Sequence, residues 1–239
     1  MTPCGSSLAL GAAGVLAIAA ATAAVAGSRS PAAGSASEPI VMYHGAHRWR
    51  GPPQIVPLRK GHAEHGPGIY LTTSWATASR YAKGGGSVLR MEVDPGIKLA
   101  HRVHVDAAEF LRRASSIPRL PGRAALTSAV GRLSSRMGPR VRGDHLLAAI
   151  VNSGSAAGRS GPAMAGLLVE VGVDADLFRS PIGKGEEWLV VFDPNAILSV
   201  RRVTPDEVRR RGFAFDLPLP STLPSLSFSL EIDNPGESM

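Results

Sequence analysis

The chain has 239 residues, 44% of them hydrophobic and 19% charged, with a net charge of +7. That composition excludes a wholly disordered chain, and the length fits one domain with tails at both ends. A single cysteine, Cys4, excludes an intramolecular disulfide framework and any zinc site built on cysteines.

Residues 7–26 carry no charge and close on Ala24-Val25-Ala26, the pattern of a secretory signal peptide cleaved after Ala26. No lysine or arginine precedes the run, so a membrane anchor and a cytoplasmic alanine-rich segment stand as alternatives. Residues 27–38, rich in Gly, Ser, Ala and Pro, read as a flexible linker, and the folded domain is expected over 39–212. Short apolar runs at 39–43 and 68–72 predict buried strands, with a capped helix over 73–82 and an alternating strand over 87–94. Helices are predicted at 106–114, 123–137, 144–152 and 162–171. Within 101–145, nine arginines stand against Asp106, Glu109 and Asp144, which makes this stretch either a solvated face or a nucleic-acid surface. Residues 188–192 are the strongest strand and 197–203 another. Thr204-Pro205-Asp206-Glu207 then caps a last helix, with Thr at the N-cap and Pro in the first turn. Residues 213–239 carry the remaining prolines and predict a disordered tail. Several strands interleaved with helices make the class α+β.

Three segments carry chemistry. Tyr43-His44-Gly45 closes the first strand. Gly66-Pro67-Gly68-Ile69-Tyr70-Leu71-Thr72 forms the second, and Tyr81 follows Tyr70 by eleven residues. Gly185-Glu186-Glu187-Trp188 opens the strongest strand. This order and spacing resemble the His-Tyr-Glu class of ADP-ribosyltransferases, the group holding diphtheria toxin and the poly-ADP-ribose polymerases, over roughly 39–95 and 183–203. The resemblance implies two antiparallel sheets forming a split β-core, with an NAD cleft between them and helices outside. It implies that His44 bonds the adenosine ribose and that the Gly45 backbone holds the nicotinamide amide. Tyr70 and Tyr81 would sandwich the nicotinamide ring, and Glu187 would be the catalytic carboxylate. The chemistry suits those residue types: aromatic faces hold a planar ring, and a carboxylate stabilises the oxocarbenium-like ribose.

The chain departs from the pattern in places. Ala46 stands where Ser or Thr is usual, and Ala78 where Ser is common. Strand alternation puts Glu187 with Leu189 and Val191 on one face, and Glu186 with Trp188 and Val190 on the other. One glutamate therefore points into the cleft; Glu187 is preferred because an aromatic follows it, and Glu186 is its rival. Gly185, two residues before Glu187, speaks against the arginine-modifying toxins, which carry a paired acid or amide there.

The implied function is transfer of ADP-ribose from NAD, with release of nicotinamide, to a macromolecular acceptor, a protein, by an exported effector. The alternatives are a NAD glycohydrolase and a non-catalytic domain that binds nucleic acid through its Arg-rich helices. His62 with His65, and His101 with His104, have the spacing of metal ligands, but no His-Glu-x-x-His or acidic cluster accompanies them and no metal site is predicted. Gly68-Ile69-Tyr70 is similar to the opening of the GIY-YIG nucleases, yet Tyr81-Ala82-Lys83 lacks the second glycine.

Overall fold

The central strand, β1 (Ile40–Ala46), is apolar at Ile40, Met42 and Tyr43, all of them buried. The computed structural model describes residues 37–58, 63–179 and 185–210. The leader expected over 1–26, the linker up to residue 36 and the tail over 213–239 lie outside the described residues. After β1 come β2 (Ile69–Thr72), α1 (Trp75–Tyr81), β3 (Ser87–Val93), β4 (His104–Asp106), α2 (Ala107–Ser115) and α3 (Arg123–Met137). β5 (Arg140–Arg142), α4 (Gly143–Asn152), α5 (Gly161–Glu170), β6 (Ala175–Arg179), β7 (Glu187–Val191), β8 (Ile197–Val203) and α6 (Pro205–Arg210) complete the order. The class is α+β. Among the described residues no helix is long and apolar enough to cross a membrane.

Six strands form one sheet in the order β6-β7-β2-β1-β3-β8, and every pairing is antiparallel. The expectation of two separate sheets needs this correction: hydrogen bonds join all six strands. The join is thin at the centre, however. β1 and β3 pair from Ile40↔Val93 to Ala46↔Ser87, whereas β1 and β2 meet in the single register Tyr43↔Thr72. A side chain supplements that seam, because His44 Nδ1 donates to the Tyr70 carbonyl at 2.8 Å.

Three cores hold the layers. The inward faces of β1 and β3 (Met42, Leu89, Met91) meet those of β2 and β7 (Ile69, Leu71, Leu189, Val191), so both halves of the sheet share one cluster. Helices α2 to α5 cover the other face of the β6-β7-β2 half through Phe110, Leu126, Leu146, Ile150 and Met164 against Phe178 and Val190. Helices α1 and α6 cover the β1-β3-β8 half through Ala78 and Val208 against Tyr43, Val88 and Val203.

Capping explains where the helices start. Ser74 and Asp106 accept the N–H of Thr77 and Glu109, and Thr204 and Glu207 form a reciprocal capping box ahead of α6. The arginine-rich segment is partly compensated from within. Glu109 pairs with Arg112 and Arg113, Arg113 also reaches Glu170, and Arg142 pairs with Asp144.

Candidate functional site

A cavity of about 610 Å³ opens at the seam between the two halves of the sheet. β1 contributes His44 and Gly45 to its lining, β2 contributes Tyr70 and Thr72, and α1 contributes Ala78 and Tyr81. Arg48, Trp49 and Arg50 reach it from the loop after β1; His65, Phe178 and Trp188 close another side. Of the residues singled out in the sequence, His44, Gly45, Tyr70 and Tyr81 are brought together here. Neither Glu187 nor its rival Glu186 is in the lining.

His44 is fixed by its partner. A carbonyl can only accept, so the Nδ1 bonded to the Tyr70 carbonyl carries the proton. Burial pushes this imidazole below its ordinary pKa, the hydrogen bond opposing only part of the shift. The ring is thus neutral, with Nε2 an acceptor. The Trp49 ring meets it edge-on, centroids 5.3 Å apart. Gly45 is required by close packing: a Cβ there would overlap the Ala78 carbonyl and lie 2.9 Å from Tyr81 Cβ. That contact presses α1 onto β1 and carries Tyr81 to the cavity mouth.

The two tyrosines are held differently. The Tyr70 hydroxyl donates to the Gly66 carbonyl at 2.9 Å and accepts the His65 N–H at 3.1 Å. Burial, the largest cause, pushes that phenol up to about 12. Tyr81 is 57% exposed. Trp188 stands edge-on to both, with centroids 6.4 Å from Tyr70 and 5.8 Å from Tyr81 and interplanar angles of 79° and 84°. The aromatic wall continues through Phe178, 6.2 Å from Trp188, to His65, whose ring stacks on Phe178 at 3.4 Å. Burial also lowers the pKa of His65.

The two glutamates part company at the start of β7. The register Thr72↔Trp188 puts Trp188 on the cavity side of the sheet. Glu187, one residue earlier, faces the opposite side, and its Oε1 lies 3.6 Å from Arg179 Nε on β6. Its backbone is tied to Thr73, whose N–H donates to the Glu187 carbonyl and whose hydroxyl accepts the Glu187 N–H. Glu186 lies on the Trp188 side. Thr72 Oγ1 donates to its Oε1 at 2.7 Å and Thr77 Oγ1 donates to its Oε2 at 3.0 Å.

Several residues of the site were not singled out in the sequence. Phe178 sits on β6, where no strand was predicted. Thr72 and Thr77 gave no motif, although Thr72 shares its strand and face with Tyr70 by simple alternation. Of the paired histidines, His62 lies outside the described residues, His65 lines the cavity, and His101 and His104 are not among its lining residues. Among the described residues no group of three or more His, Cys, Asp or Glu side chains could hold a metal ion. In comparisons with known proteins, the sequence matches no family model, no curated protein and no solved structure.

Proposed function

We propose that this protein is an ADP-ribosyltransferase, which cleaves the bond between nicotinamide and ribose in NAD and passes ADP-ribose to an acceptor. One observation carries the reading: His44, Gly45, Tyr70 and Tyr81, far apart in the chain, line one cavity at the seam of the sheet. The finer fold reading, a split β-core whose cleft takes NAD, belongs to the same proposal and draws support from the single register joining β1 to β2.

Tyr70 and Tyr81 hold the nicotinamide ring, with Trp188 as a wall edge-on to both; a planar ring gains about 1 kcal/mol per aromatic contact beyond its burial. The bare Nε2 of His44 accepts a hydrogen bond from a ribose hydroxyl. Arg48 and Arg50, at the same cavity, suit the diphosphate. The carboxylate role goes to Glu186, because it is bonded to Thr72, a residue of the cavity lining, while Glu187 is directed towards Arg179 on the other side of the sheet. In the reaction the ribose C1′–N bond breaks and both its electrons leave with the nicotinamide nitrogen, which becomes neutral. Positive charge grows on the ribose beside the Glu186 carboxylate, which stabilises it. The acceptor nucleophile then bonds C1′ and releases its proton to solvent.

A protein side chain is the proposed acceptor, and delivery outside the cell through the amino-terminal leader belongs to the same reading. The test incubates the purified full-length chain with NAD labelled in its adenine, with and without a protein extract. Free nicotinamide and label on protein are expected. Nicotinamide with label only in free ADP-ribose would reassign the enzyme as a glycohydrolase, and label removed by nuclease would move the acceptor to nucleic acid. No nicotinamide release under any of these conditions overturns the proposal.

A further inference from the structure

The arginine-rich stretch spends only part of its charge internally. Arg112 and Arg113 pair with Glu109, and Arg142 pairs with Asp144. Among the described residues Arg102, Arg132, Arg136 and Arg140 have no carboxylate partner, and all four are exposed. None of them lines the cavity. The short ladder of β4 and β5 gathers part of this set, pairing His104 with Arg142, Val105 with Val141 and Asp106 with Arg140. Val105 and Val141 are buried beneath it, so His104 and Arg140 stand on its outer face. Arg140 reaches across to β4, where it donates to the His104 carbonyl at 3.2 Å. Arg102 ends the helical turn Ala100–Arg102, two residues before His104. α3 packs against β5 and runs into it through Gly138 and Pro139. Its 15 residues hold three arginines and no acid, with Arg132 and Arg136 one turn apart near its end. Asp106, the acid on the outer face of the ladder, accepts the Glu109 N–H as the cap of α2.

A cation in the last turn of a helix complements the helix dipole, which accounts for Arg136 alone. Unpaired guanidiniums on neighbouring elements repel one another, and an anion with regularly spaced charges relieves that repulsion. We propose that the surface formed by Arg102, Arg132, Arg136 and Arg140 binds the phosphate backbone of a nucleic-acid duplex. The guanidinium fork matches a phosphate with two parallel hydrogen bonds. Within residues 101–145 Phe110 is the one Phe, Tyr or Trp, and it is buried, so the surface offers no platform on which unpaired bases could stack. Met137 is the one large apolar side chain exposed in this stretch, too little to seat the surface in a bilayer. Binding is therefore directed at the backbone and indifferent to base sequence. This inference goes beyond the reaction at the cavity and does not depend on it.

The test is fluorescence anisotropy of a labelled duplex of about 20 base pairs, as DNA and as RNA, titrated with the full-length chain between about 50 and 200 mM salt. A single strand and vesicles containing phosphatidylserine are the competing arms. Four phosphate contacts predict that log K falls with log salt at a slope of about −3 to −4, a loss of about 100-fold across that range. Arg102→Gln, Arg132→Gln, Arg136→Gln and Arg140→Gln should each make the slope shallower by about 1, and the four together should abolish binding. Arg80→Gln removes an exposed charge from α1, over the other half of the sheet, and should leave the slope unchanged. A thermal melt of each variant controls for folding. Binding to either duplex with this pattern supports the proposal. Failure of both duplexes at the lowest salt overturns it, as does tighter binding to the single strand or retention on vesicles alone. So does an Arg80→Gln effect equal to that of Arg136→Gln, which would make net charge and not this surface the cause. A protein that releases nicotinamide but binds no duplex fails only here, and one that binds duplex but releases no nicotinamide fails only in its proposed reaction.

Discussion

Tyr70 and Tyr81 carry the same ring into different surroundings, so the same substitution should behave differently at each. At Tyr70, Phe strands the Gly66 carbonyl and the His65 N–H, and unfolding free energy should fall by about 1–2 kcal/mol. At the exposed Tyr81, Phe should leave stability and NAD affinity unchanged. Ala at 81 should weaken NAD binding about fivefold to tenfold without moving the melting temperature. Calorimetric titration beside thermal melting checks both, and equal effects of Phe at the two sites would contradict the distinction. Asp176 makes a second prediction at this scale. Burial first, then the nearby Asp144, pushes its carboxyl up to about 7. The folded state therefore holds that proton more tightly than the unfolded state. The associated stability is complete below the unfolded pKa, near 4, and is lost as pH rises towards 7. Asp176→Asn should flatten this slope and leave the protein more stable at pH 8, by on the order of 2–4 kcal/mol. Urea unfolding at pH 5 and pH 8 measures it, and a parent protein with no such slope would refute it. The glutamate pair marks the limit of reading single residues from sequence. Alternation puts Glu186 and Glu187 on opposite sides of the sheet; that Glu186 bonds Thr72 and Thr77 while Glu187 lies near Arg179 depends on the register Thr72↔Trp188 and on β6, and both are tertiary facts.

At the scale of elements, legibility followed local chemistry. α3 and β8 occupy the predicted residues, and α6 follows Thr204 and the Pro205 start as the capping signal required. β6 went unread because an acid stands within it, at Asp176, and another just before it, at Asp174, where a buried strand should be apolar. Asp174 and Asp176 are both buried, and Asp174 is satisfied by accepting the Lys98 N–H from outside the strand. The three-residue strands β4 and β5 are too short to show a period. The contact of α1 with β1 yields a paired prediction on glycine. Gly45→Ala should lower stability by about 1–3 kcal/mol, because its Cβ meets backbone that cannot give way without moving α1. Gly131→Ala, inside α3 with nothing within 4 Å of the added methyl, should raise stability by up to about 1 kcal/mol. Urea midpoints shifting in opposite directions are the expected result. A Gly45→Ala variant as stable as the parent would mean that α1 is not pinned at this point.

At the scale of the molecule, the strand order β6-β7-β2-β1-β3-β8 was not legible, since it depends on which strands meet and not on what each strand is. It has a mechanical consequence. Each half of the sheet is knitted by long ladders, while the seam has one register pair, the His44–Tyr70 hydrogen bond and the shared apolar cluster. Sub-global opening should therefore begin there, with free energy below that of global unfolding. The cavity is lined from both sides of the same seam, so a ligand filling it binds the closed arrangement and not the opened one. At about 100 times its dissociation constant such a ligand stabilises by about 2.7 kcal/mol, or about 5–10 °C in Tm for a chain of this size. NAD should thus slow hydrogen exchange in β1 and β2 together, one strand from each half. His44→Ala removes the side-chain tie across the seam, so it should speed exchange in both strands even without ligand while the β3–β8 ladder keeps its protection. Exchange that changes in only one half, or a His44→Ala effect spread evenly over the whole sheet, would show that the seam does not open as a unit.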